Sequence, residues 1–310
     1  MTIPAPRACD LCGATAFRSL SFYYQWEGQR LQGTECRACS LIFLDPLPTP
    51  EQLERLYGKA YFTDRLNYNR EERDRKFIEE SEAIDLTKIR TDKFTDYIVA
   101  RYPNRAFRYL EVGCGPGYTL KSLESQGWEA HGLEISEHAA DFARRHLHLP
   151  VVTGNIETTE SFRDNQFDLV YMGDVIEHLR SPSATVAKFA RLLEPGGLLV
   201  LALPSALNLP ALRLGMQAYR ALGRQRKMDI LPYHLYEFTP RTIRALLEKH
   251  GFKVVELQNS VKKPSQIRLG GNPVEQVSKL IGQYPTYYLN RLTGGFGDRI
   301  FVTAQNAKSA

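Results

Sequence analysis

The sequence predicts an α/β chain: a doubly wound sheet in its last two thirds, preceded by a small cysteine-bearing module. Three observations carry this. Strand-like and helix-like stretches alternate from Phe107 to Leu257, the pattern of strands joined by crossover helices. A glycine turn, Gly113-Cys114-Gly115-Pro116-Gly117, links the first strand to a helix expected over Tyr118 to Gln126. Glu134 ends the second strand 21 residues after Gly113. That is the layout of a nucleotide-type cofactor site at the carboxyl edge of a sheet. Two Cys-x-x-Cys pairs, Cys9/Cys12 and Cys36/Cys39, lie ahead of both.

Composition narrows the class. Hydrophobic residues make up 43% of the chain and charged residues 24%, as in an ordinary globular protein, which excludes a disordered or fibrous chain. The longest apolar run, Leu198 to Leu203, is strand-sized, far short of the ~20 residues that span a bilayer. The first residues, Met-Thr-Ile-Pro-Ala-Pro-Arg, contain no signal-peptide core, so a cytoplasmic location is expected. A net charge of +5 is too small to imply a nucleic-acid partner by itself.

In chain order, residues 1–48 read as a zinc ribbon. Each Cys-x-x-Cys pair can chelate one metal from a tight turn, and Cys9, Cys12, Cys36 and Cys39 together complete a tetrahedral thiolate site. Phe17 to Gln32 alternates as a β-hairpin between the pairs. Two disulfides are the competing arrangement, disfavoured by the missing export signal and the fifth cysteine. A closed four-sulfur site leaves no open position, so structural rather than catalytic zinc is expected. Residues 49–104 read as a helical bridge. It opens on Thr49-Pro50-Glu51-Gln52, a helix cap with proline in the first turn, and Asp64 to Tyr102 is charged and mostly helical. Cys114 is expected to be a small buried residue.

Residues 105–310 form the sheet domain, with strands placed at 107–112, 128–133, 150–153, 167–172, 197–203, 252–257 and 299–305. Glu194-Pro195-Gly196-Gly197 reads as a turn before the fifth strand, and Asn306 to Ala310 as a frayed tail. Two insertions interrupt the domain. In 205–232, Arg213, Arg220, Arg224, Arg226 and Lys227 alternate with leucines. This is an amphipathic helix with a solvated basic side, a clamp for an acidic acceptor, or a peripheral contact with an anionic membrane through 211–227. In 261–298, Tyr284, Tyr287, Tyr288 and Phe296 are interspersed with glycines. That composition suits a lid or a protein contact, or packing of a helix such as Val274 to Leu280 on the sheet.

Glu111-x-Gly113-x-Gly115-x-Gly117 resembles motif I of class I S-adenosylmethionine-dependent methyltransferases. A dinucleotide fingerprint needs its third glycine one residue later, where this chain has Tyr118. The resemblance covers about residues 105 to 305 and implies a seven-stranded Rossmann-like sheet closed by an antiparallel hairpin. It further implies that Gly113, Gly115 and Gly117 line the methionine part and ribose of the cofactor. Glu111 would orient its amino group, and Glu134 would accept from the ribose hydroxyls. Asn155 and Ile156 would border the adenine, with Asn155 standing where relatives often carry aspartate. Met172 would border the methyl-donor end.

Asp174-Val-Ile-Glu177-His178 follows. On one helical turn, residues three and four apart share a face, so Asp174, Glu177 and His178 are expected to converge, with His234 supplied by a later loop. Three roles stay open: a helix cap that shapes the cleft, His178 as a metal-free general base, or a Mg²⁺- or Mn²⁺-type site. The segment resembles the Glu-x-x-Glu-His of ubiquinone O-methyltransferases and small-RNA 2′-O-methyltransferases, with Asp174 replacing the first glutamate.

The resemblances together imply an S-adenosylmethionine-dependent enzyme that O-methylates a small molecule or sugar hydroxyl. C-methylation of a nucleotide-linked sugar, RNA 2′-O-methylation and a non-catalytic scaffold are the alternatives. Mixed charge over the ribbon argues against RNA, and the intact glycine loop with Glu134 argues against a scaffold. The oligomeric state has no sequence signal.

Overall fold

The computed structural model describes residues 8–57, 98–103, 105–228, 231–261, 263 and 284–308. Most of the expected bridge and the helix expected over Val274 to Leu280 lie outside them. The chain divides into two compact units, Pro48–Tyr171, and Met1–Leu47 with Met172–Ala310.

The first unit opens with α1 (Pro50–Tyr57). Thr49 Oγ1 accepts from the Gln52 amide while Gln52 Oε1 accepts from the Thr49 amide, a reciprocal cap that satisfies donors the first helical turn leaves open. Then β4 (Arg108–Val112) leads into α2 (Tyr118–Glu124), β5 (Glu129–Glu134), α3 (Glu137–His146) and β6 (Val151–Thr153). β4, β5 and β6 run parallel in adjacent positions. Four consecutive residues of β4, Tyr109 to Val112, are buried, as expected of a parallel strand covered on both faces. Ser136 caps α3, with Glu137 in its first turn and Arg144, Arg145 and His146 in its last, a charge order that complements the helix dipole.

β7 (Phe167–Gly173) is followed in the second unit by α4 (Pro182–Leu192), β8 (Leu193–Pro204), α5 (Pro210–Ala221), α6 (Pro240–Lys249), β11 (Phe252–Ser260) and β12 (Arg299–Asn306). The seven-stranded sheet has the order β11-β12-β8-β7-β4-β5-β6, and β12 is antiparallel to both β11 and β8. All seven expected strands are present. Two local expectations change. Glu194 to Gly197 belong to β8 rather than to a turn. Asn306 is buried, its amide donating to the carbonyls of Ala190, Leu193 and Glu194, so the tail is pinned at the residue where fraying was expected to begin.

A second sheet is built on the cysteine module. β1 (Phe17–Trp26), β2 (Gln29–Cys36) and β3 (Ile42–Asp45) pair antiparallel. β9 (Arg226–Met228) and β10 (Tyr236–Glu237) add its edges, giving the order β10-β3-β2-β1-β9. The insertion over 205–232 therefore returns to the ribbon. α5 within it buries none of its residues; Leu214 and Leu222 are 66% and 69% exposed. Among the described residues, no helix is long and apolar enough to cross a membrane.

Candidate functional site

The glycine loop is fixed by its backbone. Gly113, Gly115 and Gly117 all have positive φ, at 77°, 53° and 83°, a region costly for residues with a Cβ. The Gly113 amide donates to Leu133 O at 2.7 Å and the Gly117 amide to Cys114 O at 3.0 Å. The glycines differ in purpose. A Cβ on Gly115 would meet open space, whereas one on Gly117 would lie 2.8 Å from Leu149 Cδ1 and 3.1 Å from Ala143 Cβ. Gly117 thus permits the loop to pack on α3 and the segment after it.

Glu134 is buried at the end of β5. Its Oε2 accepts from the Gly115 amide at 2.8 Å and its Oε1 from the Ser136 amide at 2.9 Å. Burial pushes its pKa up, against the pull of these amides. The carboxylate is therefore held rigidly against the loop, with lone pairs left to accept from a ligand's hydroxyls. Glu111 is also buried. Asn155 Oδ1 accepts from the Glu157 amide at 2.9 Å, and its backbone oxygen from the amides of Thr158 and Thr159. The side chain thus shapes the turn after β6. Ile156 and Met172 are buried, and so is Cys114.

In the other unit, Glu177, His178 and His234 come together, each offering a ligand atom within 4.8 Å of the others. Glu177 is 1% exposed, and among the described residues neither carboxylate oxygen has a hydrogen-bond partner. His178 Nδ1 lies 2.7 Å from Tyr233 O. A carbonyl oxygen can only accept, so Nδ1 carries the proton and Nε2 presents its lone pair, 3.6 Å from Glu177 Oε1. His234 Nε2 lies 4.0 Å from the same oxygen, and its Nδ1 is 3.6 Å from Glu237 Oε1. The Tyr233 carbonyl is the kind of outer partner that fixes the tautomer of a ligating imidazole; Glu237, at 3.6 Å, is an ion-pair neighbour of His234 beyond hydrogen-bond distance. Burial pushes Glu177 up to about 8; His234 opposes this, and Asp174 and Glu237 add to it. Burial pulls His234 down, but Glu237, Glu177 and Asp174 more than offset it, so its pKa is raised.

Asp174 does not join this group. It has φ 54° directly after β7, and the helical turn begins only at Ile176, as a short 3-10 segment, Ile176–His178. The spacing of an α-helical face does not apply there. The Asp174 carboxylate instead takes Arg299 Nη2 at 2.8 and 2.9 Å. Sequence reasoning missed Arg299 and Glu237; Glu237, three residues from His234, was the one with a local signal.

The four cysteines of the ribbon also lie within 4.8 Å of one another through their sulfurs. Cys9 Sγ–Cys39 Sγ and Cys12 Sγ–Cys36 Sγ are each 3.6 Å, far beyond a disulfide bond and close to the edge of a tetrahedron with ~2.3 Å zinc–sulfur bonds. The two turns repeat one design. Gly13 and Ser40, each just after a second cysteine, have φ 75° and 65° and donate to Cys9 O and Cys36 O.

Residues 37–257 match the family profile described as a methyltransferase domain. The chain belongs to this methyltransferase family. With its sheet and motif I, it is a class I S-adenosylmethionine-dependent methyltransferase. Among relatives, it is 30% identical over 175 residues to a ubiquinone biosynthesis O-methyltransferase of Xanthomonas oryzae pv. oryzae, covering 54% of this chain and 72% of that protein. A protein of the same description from Aromatoleum aromaticum is 26% identical over 193 residues, covering 59% and 75%. A malonyl-[acyl-carrier protein] O-methyltransferase of Enterobacter lignolyticus is 35% identical over 132 residues, covering 42% and 51%. In fold, the methyltransferase is similar to a chain in the complex of the Haloferax volcanii Trm112 methyltransferase activator with a methyltransferase. There the TM-score is 0.51 at 16% identity, covering 76% of this chain and 98% of that one.

Proposed function

We propose that this methyltransferase O-methylates a hydroxyl of a small molecule, with a divalent cation held by Glu177, His178 and His234. The observation that carries the reading is the buried Glu177 carboxylate, without a hydrogen-bond partner among the described residues and faced by two imidazoles, His178 with its far nitrogen bonded to Tyr233 O and His234 with its far nitrogen beside Glu237. An ionised carboxylate in that position needs a compensating cation. The O-methyltransferase relatives favour oxygen as the acceptor atom.

S-adenosylmethionine, when bound, supplies a methyl already activated by its sulfonium. The protein's task is then to hold donor and acceptor ~3–3.5 Å apart and in line. In this reading Glu134 accepts from the ribose hydroxyls, Glu111 orients the amino group, and the loop at Gly113 and Gly115 leaves room for the methionine part. A divalent cation, when bound, lowers the pKa of an acceptor hydroxyl and fixes its position. In its absence, His178 Nε2 retains the lone pair needed to take that proton. The cysteine site is read as structural zinc.

Turnover of S-adenosylmethionine on a catechol-type probe, with and without EDTA and added Mg²⁺, tests the reading. Full activity in EDTA with no gain from Mg²⁺ rules out the cation. Glu134→Ala is expected to weaken S-adenosylmethionine binding on the order of 10- to 100-fold, the scale of a lost charged hydrogen bond. Calorimetry showing unchanged affinity would remove Glu134 from the cofactor site.

α5 supports a further reading, peripheral contact with an anionic membrane. Exposed Leu214, Tyr219 and Leu222 adjoin Arg213, Arg220 and Arg224 with no acidic residue nearby in sequence, the composition of an interfacial helix. Sedimentation with vesicles containing phosphatidylglycerol is expected to fall when Leu214 and Leu222 become serine. Equal sedimentation of that variant would exclude α5 as the contact.

A further inference from the structure

We infer that the zinc ribbon is the positioning scaffold of the acid–histidine cluster, and that Asp10, inside its first cysteine turn, is the positioning residue. The inference extends the cation reading and rests on it for one of its two tests.

The α4 helix has no side-chain cap of its own: Ser181, its N-cap, makes none. Asp10, between Cys9 and Cys12, takes that role from a distant part of the chain. Its Oδ2 accepts from the Ser183 amide at 2.7 Å and its Oδ1 from Ser181 Oγ at 2.9 Å. A carboxylate at a helix N-terminus satisfies open amides and complements the dipole. Lys249 Nζ closes the contact, donating to Asp10 O at 3.3 Å and to Ser183 Oγ at 3.0 Å. Ser181 is three residues beyond His178, so this clamp fixes one end of the short segment that carries Glu177 and His178.

The ribbon holds the other side of the cluster as well. β10 pairs with β3 through Tyr236↔Phe43 and Glu237↔Ile42, and the Leu44 amide donates to Leu235 O at 3.0 Å. The Leu235 amide donates in turn to Glu177 O at 2.8 Å. Tyr236 Oη donates to Arg180 O at 3.0 Å. His234 is thereby tied to the last ribbon strand, which begins three residues after Cys39. Both cysteine turns thus lie next in sequence to a contact that fixes one half of the cluster. Ligating groups must be held closely to be effective, and the partners that hold them carry much of the affinity.

The test compares Asp10→Ala, Asp10→Asn and Ser181→Ala in the full-length zinc-loaded protein. Mn²⁺ affinity, read by electron paramagnetic resonance, is expected to fall about tenfold in Asp10→Ala. Asp10→Asn keeps an acceptor for the Ser183 amide and is expected to stay within about threefold of wild type, and Ser181→Ala to lie between the two. Amide hydrogen exchange over 176–185 is expected to rise in Asp10→Ala, with zinc content and S-adenosylmethionine affinity unchanged. Wild-type Mn²⁺ affinity together with unchanged exchange in Asp10→Ala would overturn the inference. So would a variant that loses zinc and melts globally, because Asp10 would then be a residue of the fold as a whole. If the wild-type protein itself binds no Mn²⁺, the cation reading fails; faster exchange over 176–185 in Asp10→Ala still supports positioning, and unchanged exchange overturns it.

Discussion

Replacing Cys36 with serine, or removing the zinc proposed for the four-cysteine site, is expected to melt the five-stranded sheet. β1, β2 and β3 amount to a module of under 40 residues, below the size at which a hydrophobic core alone sustains a fold. Its fully buried side chains are few, chiefly Leu31, Leu41 and Phe43. A structural zinc ion contributes ~10–16 kcal/mol of apparent binding free energy to such modules, more than the whole margin of a typical domain. In the absence of a metal, burial raises Cys9 to about 11 and also raises Cys39, while Cys36 is lowered against the push of burial by the backbone amides of Cys39 and Ala38. Because β9 and β10 pair with ribbon strands, the loss should extend to residues 226–228 and 236–237. Hydrogen exchange over 17–45 and 226–237, with zinc content measured in parallel, checks this. A Cys36→Ser protein with a full zinc complement and an unchanged melting profile would show that these sulfurs hold no structural metal.

What the sequence discloses follows how local each signal is. The helix cap at Thr49 and Gln52, the glycines of the loop and the strand periodicities all act within a few residues, and each is legible in the order of the amino acids. Asp174 departs from its expected place for the opposite reason. Its partner, Arg299, lies 125 positions away, and no local pattern shows that this pair diverts the carboxylate from Glu177 and His178. The same holds for Phe22↔Arg226 and Phe43↔Tyr236. Two- and three-residue edge strands have no periodicity to detect, yet they tie the 205–237 segment to the ribbon. Gly132 is an intermediate case. A glycine within a strand signals close approach, but what approaches depends on the tertiary fold: a Cβ there would lie 2.6 Å from Cys114 Sγ.

Glu177→Gln is expected to weaken cation binding and methyl transfer by orders of magnitude while stabilising the metal-free protein at high pH. The two effects share one cause. Burial lifts Glu177 to about 8 from an ordinary value of 4.5. Between those pH values the unfolded chain has released a proton that the native protein keeps, so stability of the metal-free protein falls as pH rises through this window. Below it both states are protonated and the cost vanishes; above it both are ionised and the cost is complete. Glutamine cannot ionise, so the variant loses this slope and should melt above wild type in EDTA at pH 8.5, with the gap closing towards pH 5. In the presence of Mn²⁺ the order reverses. The cation requires the ionised carboxylate, so wild-type affinity should climb with pH across the same interval, and Mn²⁺ should raise the wild-type melting temperature but not that of the variant. Removing one partner of a buried charge pair costs ~3–5 kcal/mol, which sets the expected loss of affinity on the order of 10²- to 10⁴-fold. A variant less stable than wild type at both pH values, alongside a wild type indifferent to Mn²⁺, would mean that Glu177 is kept neutral as a packing group. The acid–histidine cluster would then have to act through His178 alone.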